Sequence, residues 1–144
     1  MHEINKAVDK NKKPLPVRML FVLLFVLLAI VVIFAAIIII PRILGYKEYV
    51  VKVHDMEPAV TKGTLIFVKE EDPLEIKTGD IITYTSNSGE IVTHRVDEVD
   101  RDKSEFYTKG DANGTRDKVP VKYSQVIGKV GFSIPFIGAL MFWK

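Results

Sequence analysis

Three short stretches of the chain bring together an imidazole and several carboxylates, side chains that often carry acid–base chemistry. They are residues 54–58 (HDMEP), 93–96 (THRV) and 108–113 (TKGDAN), with Asp117 a few positions further on. A histidine can act as a general base, and a carboxylate can orient it or pair with it. His94 alone predicts no site, because a single histidine on an apolar strand face is more often a satisfied core residue.

Metal chemistry is the first alternative for such a set of side chains. Histidine and aspartate are both metal ligands, but none of the spacings typical of a metal site occurs in the chain. The chain also has no cysteine, which excludes disulfides, thiolate catalysis and zinc–sulfur sites. We therefore predict neither a metal nor a cofactor.

Short β-rich runs must position these side chains. The predicted strands cover residues 49–53, 64–69, 81–85, 90–99, 104–108 and 126–130. Turn residues such as Gly63 and Gly89 separate the runs. In the fourth run, His94 alternates with Val92 and Val96, which predicts that it lies on the buried face. Many short strands with tight turns indicate a mainly β fold, an antiparallel sandwich or a barrel-like sheet.

A long apolar run precedes the β-rich part. Residues 19–40 are 22 apolar residues without a charge, and as a helix they would extend about 33 Å, enough for a bilayer core of about 30 Å. A cleavable signal peptide would have a shorter core and small residues at its end. This run ends in four isoleucines and Pro41, so we predict an uncleaved anchor whose helix stops at or just before Pro41.

The distribution of charge predicts the orientation of the anchor. The first 18 residues hold five bases and two acids, and the remainder holds 15 bases and 16 acids. A basic flank marks the cytoplasmic side. We therefore expect a cytoplasmic basic tail (1–18), a transmembrane anchor (19–41) and an extracytoplasmic β domain (42–144). Because that domain is not basic, nucleic acid is excluded as a partner.

The last apolar segment, residues 131–143 (GFSIPFIGALMFW), has two interpretations. It is too short to span a membrane and is interrupted by Pro135 and Gly138. It either forms a last strand on the core or lies on the outer membrane face, with Phe142 and Trp143 among the lipid headgroups. Membrane lipid is thus a predicted partner.

The order of the motifs resembles that of type I signal peptidases. The branch with the endoplasmic-reticulum, archaeal and sporulation-type enzymes has a membrane helix followed by Ser-Met-Glu-Pro and then further short motifs. The corresponding motifs here are Met56-Glu57-Pro58, Gly79-Asp80-Ile81, His94-Arg95-Val96, Lys109-Gly110-Asp111 with Asn113, Asp117, Gly128-Lys129-Val130 and Ile134-Pro135-Phe136-Ile137-Gly138. The resemblance covers about residues 19–140. Each motif alone is weak, whereas seven in the right order are specific.

The resemblance implies a signal peptidase fold and a role for each motif. Family members cut secretory preproteins after small residues on the outer membrane face, using a serine nucleophile and a histidine base. By position, His94 is the general base, Asp117 the orienting acid and Asp111 a supporting acid with a structural role. Met56 and Pro58 are the implied substrate-binding residues.

The chain departs from the family pattern at the nucleophile. Asp55 stands where the family has serine, and His54 where glycine is usual. An ionised carboxylate has no proton to give to a base, and carboxylate nucleophiles act on sugars and phosphates rather than on peptide bonds. We expect Asp55 to form an ion pair with His94, which would keep the imidazole charged and the site inactive.

Three functional hypotheses follow from the sequence. The first is a signal-peptidase-like pseudoenzyme that binds preproteins or pilin subunits and assists secretion or pilus assembly, as some inactive relatives in pilus gene clusters do. The second is a working signal peptidase whose serine has been replaced, or which uses another hydroxyl such as that of Ser86 or Ser124. The third is an unrelated membrane-anchored β domain.

Overall fold

A computed structural model describes residues 16–135 of the chain. The elements are helix α1 (Val17–Ile43) and strands β1 (Tyr46–Val50), β2 (Leu65–Lys69), β3 (Ile81–Thr85), β4 (Ile91–Asp100), β5 (Glu105–Lys109), β6 (Val121–Lys122) and β7 (Val126–Ile134), with a 3₁₀ turn at Tyr123–Gln125. The chain divides into two compact units, one up to Ile39 and one from Ile40 onward.

Helix α1 is long and apolar enough to cross a membrane. It has 27 residues with a mean hydropathy of 3.7 over its most apolar window, none of which is buried. Its side chains are apolar on every side, as expected for a helix surrounded by lipid. The helix continues two residues beyond the predicted stop at Pro41 and ends at Ile43. Gly45, with a φ of 83°, terminates it in the left-handed conformation that glycine adopts without strain.

The seven strands form one antiparallel half-barrel sheet in the order β1-β2-β7-β3-β4-β5-β6. The prediction of a mainly antiparallel, barrel-like β fold is confirmed. Buried apolar residues from the strands and from the loops between them form two core clusters. One contains Tyr84, Val96 and Phe106, and the other contains Met56 and Ile66.

Two predicted strands differ by more than one residue from those in the structure, and the strands predicted at 64–69, 90–99 and 104–108 differ by one residue. β1 covers Tyr46–Val50 rather than 49–53, because Val51 turns into the core and its backbone pairs with Thr64 and Gly63. β7 continues past 130 to Ile134, opposite β2. Residues 131–134 of the last apolar segment are thus part of a strand, and residues 136–143 lie outside the described residues. The short strand β6 was not predicted.

We predict that Gly128→Ala lowers the free energy of unfolding by about 1–3 kcal/mol, the usual effect of overpacking. A Cβ at Gly128 would press against the backbone carbonyl of Lys69, which has no rotamer that could relieve the clash. Urea unfolding of the full chain in detergent micelles measures the change. Gly114→Ala is the matched control, since nothing lies within 4 Å of its Cβ position. An equal loss in both variants would contradict the packing argument.

Candidate active site

His94 projects from the middle of β4 into the interior of the β unit. It is 6% exposed and, as the alternation predicted, shares its face with the buried Val96. Its ring packs edge-on against Tyr84 of the neighbouring strand, with 6.4 Å between ring centroids. The imidazole is therefore held by strands on a rigid sheet.

Asp117 holds one nitrogen of this ring. Its Oδ2 lies 2.6 Å from His94 Nδ1 and also accepts a hydrogen bond of 2.7 Å from the Thr108 hydroxyl. The Asp117 backbone N–H donates to the Thr108 carbonyl at 2.8 Å, so the loop after β5 returns to the end of that strand. Thr108 is fully buried. These contacts fix the position of the Asp117 carboxylate.

Asp55 lies at the other nitrogen. Its Oδ2 is 3.1 Å from His94 Nε2, while its Oδ1 is buried without a hydrogen-bond partner in the described part of the chain. The Asp55 carbonyl accepts a hydrogen bond of 2.8 Å from the Ala112 N–H. Gly110 allows this approach, because a Cβ there would lie 2.6 Å from the Asp55 carbonyl oxygen. Two loops distant in sequence therefore meet at the imidazole.

The three side chains form one partly buried hydrogen-bonded trio. Each ring nitrogen of His94 faces one carboxylate oxygen, and an ionised carboxylate can only accept a hydrogen bond. The side chains are only 8%, 27% and 24% exposed for His94, Asp55 and Asp117, respectively. Partial burial strengthens attraction between opposite charges relative to water.

Tyr84 and Thr108 complete the hydrogen-bonded chain, and the sequence analysis predicted no role for either. The Tyr84 hydroxyl lies 3.4 Å from Thr108 Oγ1. Burial, followed by the negative charges of Asp117 and Asp55, raises the pKa of Tyr84, so the phenol stays neutral. Thr108 lies in the TKGD stretch, which was a usable signal, whereas Tyr84 resembled any aromatic core residue.

Asp111 is directed away from the imidazole and pairs with Arg95. The guanidinium donates to its two oxygens at 2.8 and 2.6 Å and to the Gly79 carbonyl at 2.8 Å. The hydrogen bonds with Asp111 raise the pKa of Arg95 above its ordinary value. This pair ties β4 to the loop after β5.

Asp80 and Lys129, from two other motifs, form an ion pair as Asp111 and Arg95 do. Asp80 lies 2.8 Å from Lys129 Nζ and accepts a hydrogen bond from the Lys77 N–H. Burial alone would raise the pKa of Asp80, but these hydrogen bonds outweigh it and lower the pKa below its ordinary value. The charged residues of several motifs thus stabilise the frame around the site.

The two residues predicted to bind substrate, Met56 and Pro58, differ in solvent exposure. Met56 is fully buried in the core, so its side chain could touch a substrate only if its loop opened. Pro58 is exposed, as is His54, whose Nδ1 lies 2.6 Å from Glu57 Oε1.

The two serines considered as alternative nucleophiles do not contact the imidazole. Ser86 forms hydrogen bonds with the Ser88 hydroxyl and the Glu90 N–H in the β3–β4 turn. Neither Ser86 nor Ser124 bonds to His94 in residues 16–135.

Comparisons with known proteins identify the family. Residues 22–110 match the family model for signal peptidase, peptidase S26, and the chain belongs to that family. It is 37% identical over 99 residues to signal peptidase I W of Bacillus subtilis, covering 66% of this chain and 52% of that protein. The matched region of the family model includes Asp55 and His94, whereas Asp117 lies beyond it.

Eukaryotic relatives show the same likeness. The signal peptidase complex catalytic subunit SEC11 of Lachancea thermotolerans is 32% identical over 102 residues, 61% of this chain and 60% of that protein. Human SEC11C is 33% identical over 96 residues, 58% and 49% of the two chains. The chain thus spans about half to three fifths of the length of these relatives.

We predict that Asp117→Asn and Asp111→Asn, the same chemical change at two acids, have different effects. Asp117→Asn should move the ring ¹⁵N signals of His94, because it alters the partner of Nδ1. Asp111→Asn should leave those signals in place and lower stability by about 1 kcal/mol, since Arg95 loses a partly exposed ion pair. NMR of the histidine-labelled chain, which has three histidines, gives the comparison. Equal shifts in both variants would contradict the division of roles.

Proposed function

We propose that this protein is a membrane-anchored, signal-peptidase-like pseudoenzyme that binds secretory preproteins or pilin subunits without cutting them. The observation that carries the proposal is the contact of 3.1 Å between Asp55 Oδ2 and His94 Nε2. In the family pattern, the oxygen facing that nitrogen belongs to the serine that attacks the peptide bond. Here it belongs to a carboxylate.

Two chemical consequences make cleavage unfavourable. The carboxylate has no hydroxyl proton for His94 to remove, so no alkoxide can form at this position. The same carboxylate also occupies the hydrogen-bonding position at His94 Nε2, the nitrogen that would accept the proton of a hydroxyl. Removal of the nucleophile from a serine protease triad lowers turnover by about six powers of ten. Asp55 therefore acts against both halves of the catalytic pair.

A peptide-binding role can survive these changes. The loop before Asp55 follows directly from β1, and its residues Lys52 and Val53 are exposed. An extended peptide beside such a segment can bind as an added strand, with backbone hydrogen bonds supplying affinity. The proposal of a role in secretion or pilus assembly rests on the analogy with inactive signal-peptidase-like proteins. Preproteins and pilin subunits are themselves held in the bilayer, so a membrane-anchored binding protein would lie close to them.

The proposed topology supports this role. Helix α1 is the anchor, with the basic tail in the cytoplasm and the β unit on the extracytoplasmic side. The support is the charge asymmetry around the apolar run. In this orientation the site meets preproteins as they emerge from the membrane, and lipid is the immediate surroundings of α1.

An active signal peptidase is the second candidate, favoured by one specific observation. The pair of His94 and Asp117, at 2.6 Å, retains the geometry of a base and its orienting acid. A chain with serine at position 55 would then have all three parts of a triad. In this alternative, the aspartate form is a nucleophile-substituted version of a working serine endopeptidase.

We predict that Asp55→Ser creates or restores cleavage. The serine would place a hydroxyl beside His94 Nε2 in place of the carboxylate. The assay incubates the full chain in detergent with a preprotein that carries a small-x-small cleavage site. We expect cleavage by the serine variant to exceed that by the unaltered chain by about a hundredfold or more, given the weight of the nucleophile in such triads.

Two further variants make the result specific. Asp55→Ala removes the charge without adding a hydroxyl and should remain inactive, while Asp55→Ser with His94→Ala should lose any gain. Cleavage by the unaltered chain that His94→Ala abolishes would overturn the pseudoenzyme proposal in favour of the active enzyme. Failure of both forms to cut or to bind the preprotein would reject both candidates.

A further inference from the structure

An Asn-Gly step lies in the loop after β5, which contacts both aspartates of the site. Asn113 and Gly114 are exposed, and they follow Ala112, whose N–H donates to the Asp55 carbonyl at 2.8 Å. Asp117 lies a few positions further along the same loop. Asn113 has no part in the catalytic or binding roles proposed above.

Asparagine followed by glycine is the dipeptide in which the side-chain amide is lost most readily. The Gly114 backbone nitrogen attacks Cγ of Asn113 and forms a cyclic succinimide, while the Cγ–Nδ2 bond breaks. The leaving nitrogen takes the proton of the Gly114 N–H and departs as ammonia. Water then opens the ring at either carbonyl and gives aspartate or isoaspartate. Glycine permits the attack because it has no Cβ beside the attacking nitrogen and its backbone rotates freely.

The local structure leaves the reacting groups free to meet. Among residues 16–135, neither the Gly114 N–H nor the Asn113 side-chain amide takes part in a hydrogen bond. No atom outside the neighbouring residues lies within 4 Å of the position that a Cβ would occupy at Gly114. Asn87, the other asparagine in this range, differs in both respects. Its Oδ1 accepts a hydrogen bond of 2.8 Å from Gln125 Nε2, and a serine follows it in sequence.

The loop is held on both sides of the Asn-Gly step. Before it, the Ala112 N–H is bonded to the Asp55 carbonyl. After it, Arg116 pairs with Asp97 of β4 at 2.8 Å. Residues 113–115 alone lie between these attachments. Isoaspartate routes the backbone through the side-chain carbon and so adds a methylene to this short segment, which means that at least one attachment has to shift.

We propose that Asn113 is a site of spontaneous deamidation and that its isoaspartate product displaces the loop that carries Asp117. The displacement loosens the contact of 2.6 Å between Asp117 Oδ2 and His94 Nδ1. The inference is independent of the proposed function, because it needs neither a bound peptide nor cleavage. It makes the His94 site of an aged molecule different from that of a newly made one.

The first experiment follows tryptic peptides by mass spectrometry while the full chain ages in detergent micelles at mildly alkaline pH. Peptide 110–116 carries Asn113, and peptide 78–95 carries Asn87. We expect Asn113 to change from amide to acid much faster than Asn87, with isoaspartate detected by an isoaspartate-specific methyltransferase. Gly114→Ala should slow the change by about tenfold or more, equivalent to about 1.4 kcal/mol on the barrier.

Two results would overturn the modification site. One is conversion of Asn113 no faster than that of Asn87. The other is conversion in the folded chain much slower than in the free peptide 110–116, because the fold would then protect the amide that the structure leaves exposed.

The second experiment records the ring ¹⁵N signals of His94 during the same incubation. The isoaspartate fraction should give a second set of His94 signals that grows at the rate of conversion. Asn113→Gln keeps an amide that cyclises far more slowly and should retain a single set. Asn113→Asp adds the negative charge without the extra methylene and should shift the signals less than isoaspartate does. Unchanged His94 signals in converted chains, or an equal shift in Asn113→Asp, would overturn the displacement of the loop.

Discussion

The site depends on one interaction, the placement of a buried imidazole between two carboxylates. Each ring nitrogen of His94 faces an aspartate oxygen, at 3.1 Å for Asp55 and 2.6 Å for Asp117. Loss of either aspartate would leave one ring nitrogen of the buried imidazole without its hydrogen-bond partner, which costs free energy. The loops that carry the two aspartates are therefore coupled through a single side chain on β4.

The frame around the imidazole follows from this requirement. Arg95, the neighbour of His94, faces the other way and ties the loop after β5 through Asp111. Gly110 then lets the same loop approach the Asp55 backbone. Thus the sheet supplies the imidazole and two loops supply the carboxylates. An aspartate at position 55 fits this frame as a partner of His94 Nε2.

Much of the fold could be predicted from sequence, because period and turn residues determine where the longer elements lie. The bounds of β3 were predicted without error, and the burial of His94 followed from its alternation with Val96. The two-residue strand β6 carries too short a pattern to recognise. The hydrogen bond between Tyr84 and Thr108 could not be predicted from the sequence either. It depends on the register across β3, β4 and β5, which a β-bulge between Val96 and Glu98 shifts.

A double-mutant cycle on Asp55 and His94 measures the central interaction directly. The free energy of unfolding is determined for the unaltered chain, Asp55→Asn, His94→Gln and the double variant, at neutral pH in the same detergent. The ion pair predicts a coupling free energy of about 0.5–3 kcal/mol, the range found for contacting residues. Additivity of the two single changes to within about 0.3 kcal/mol would contradict it, because residues that act independently show no coupling.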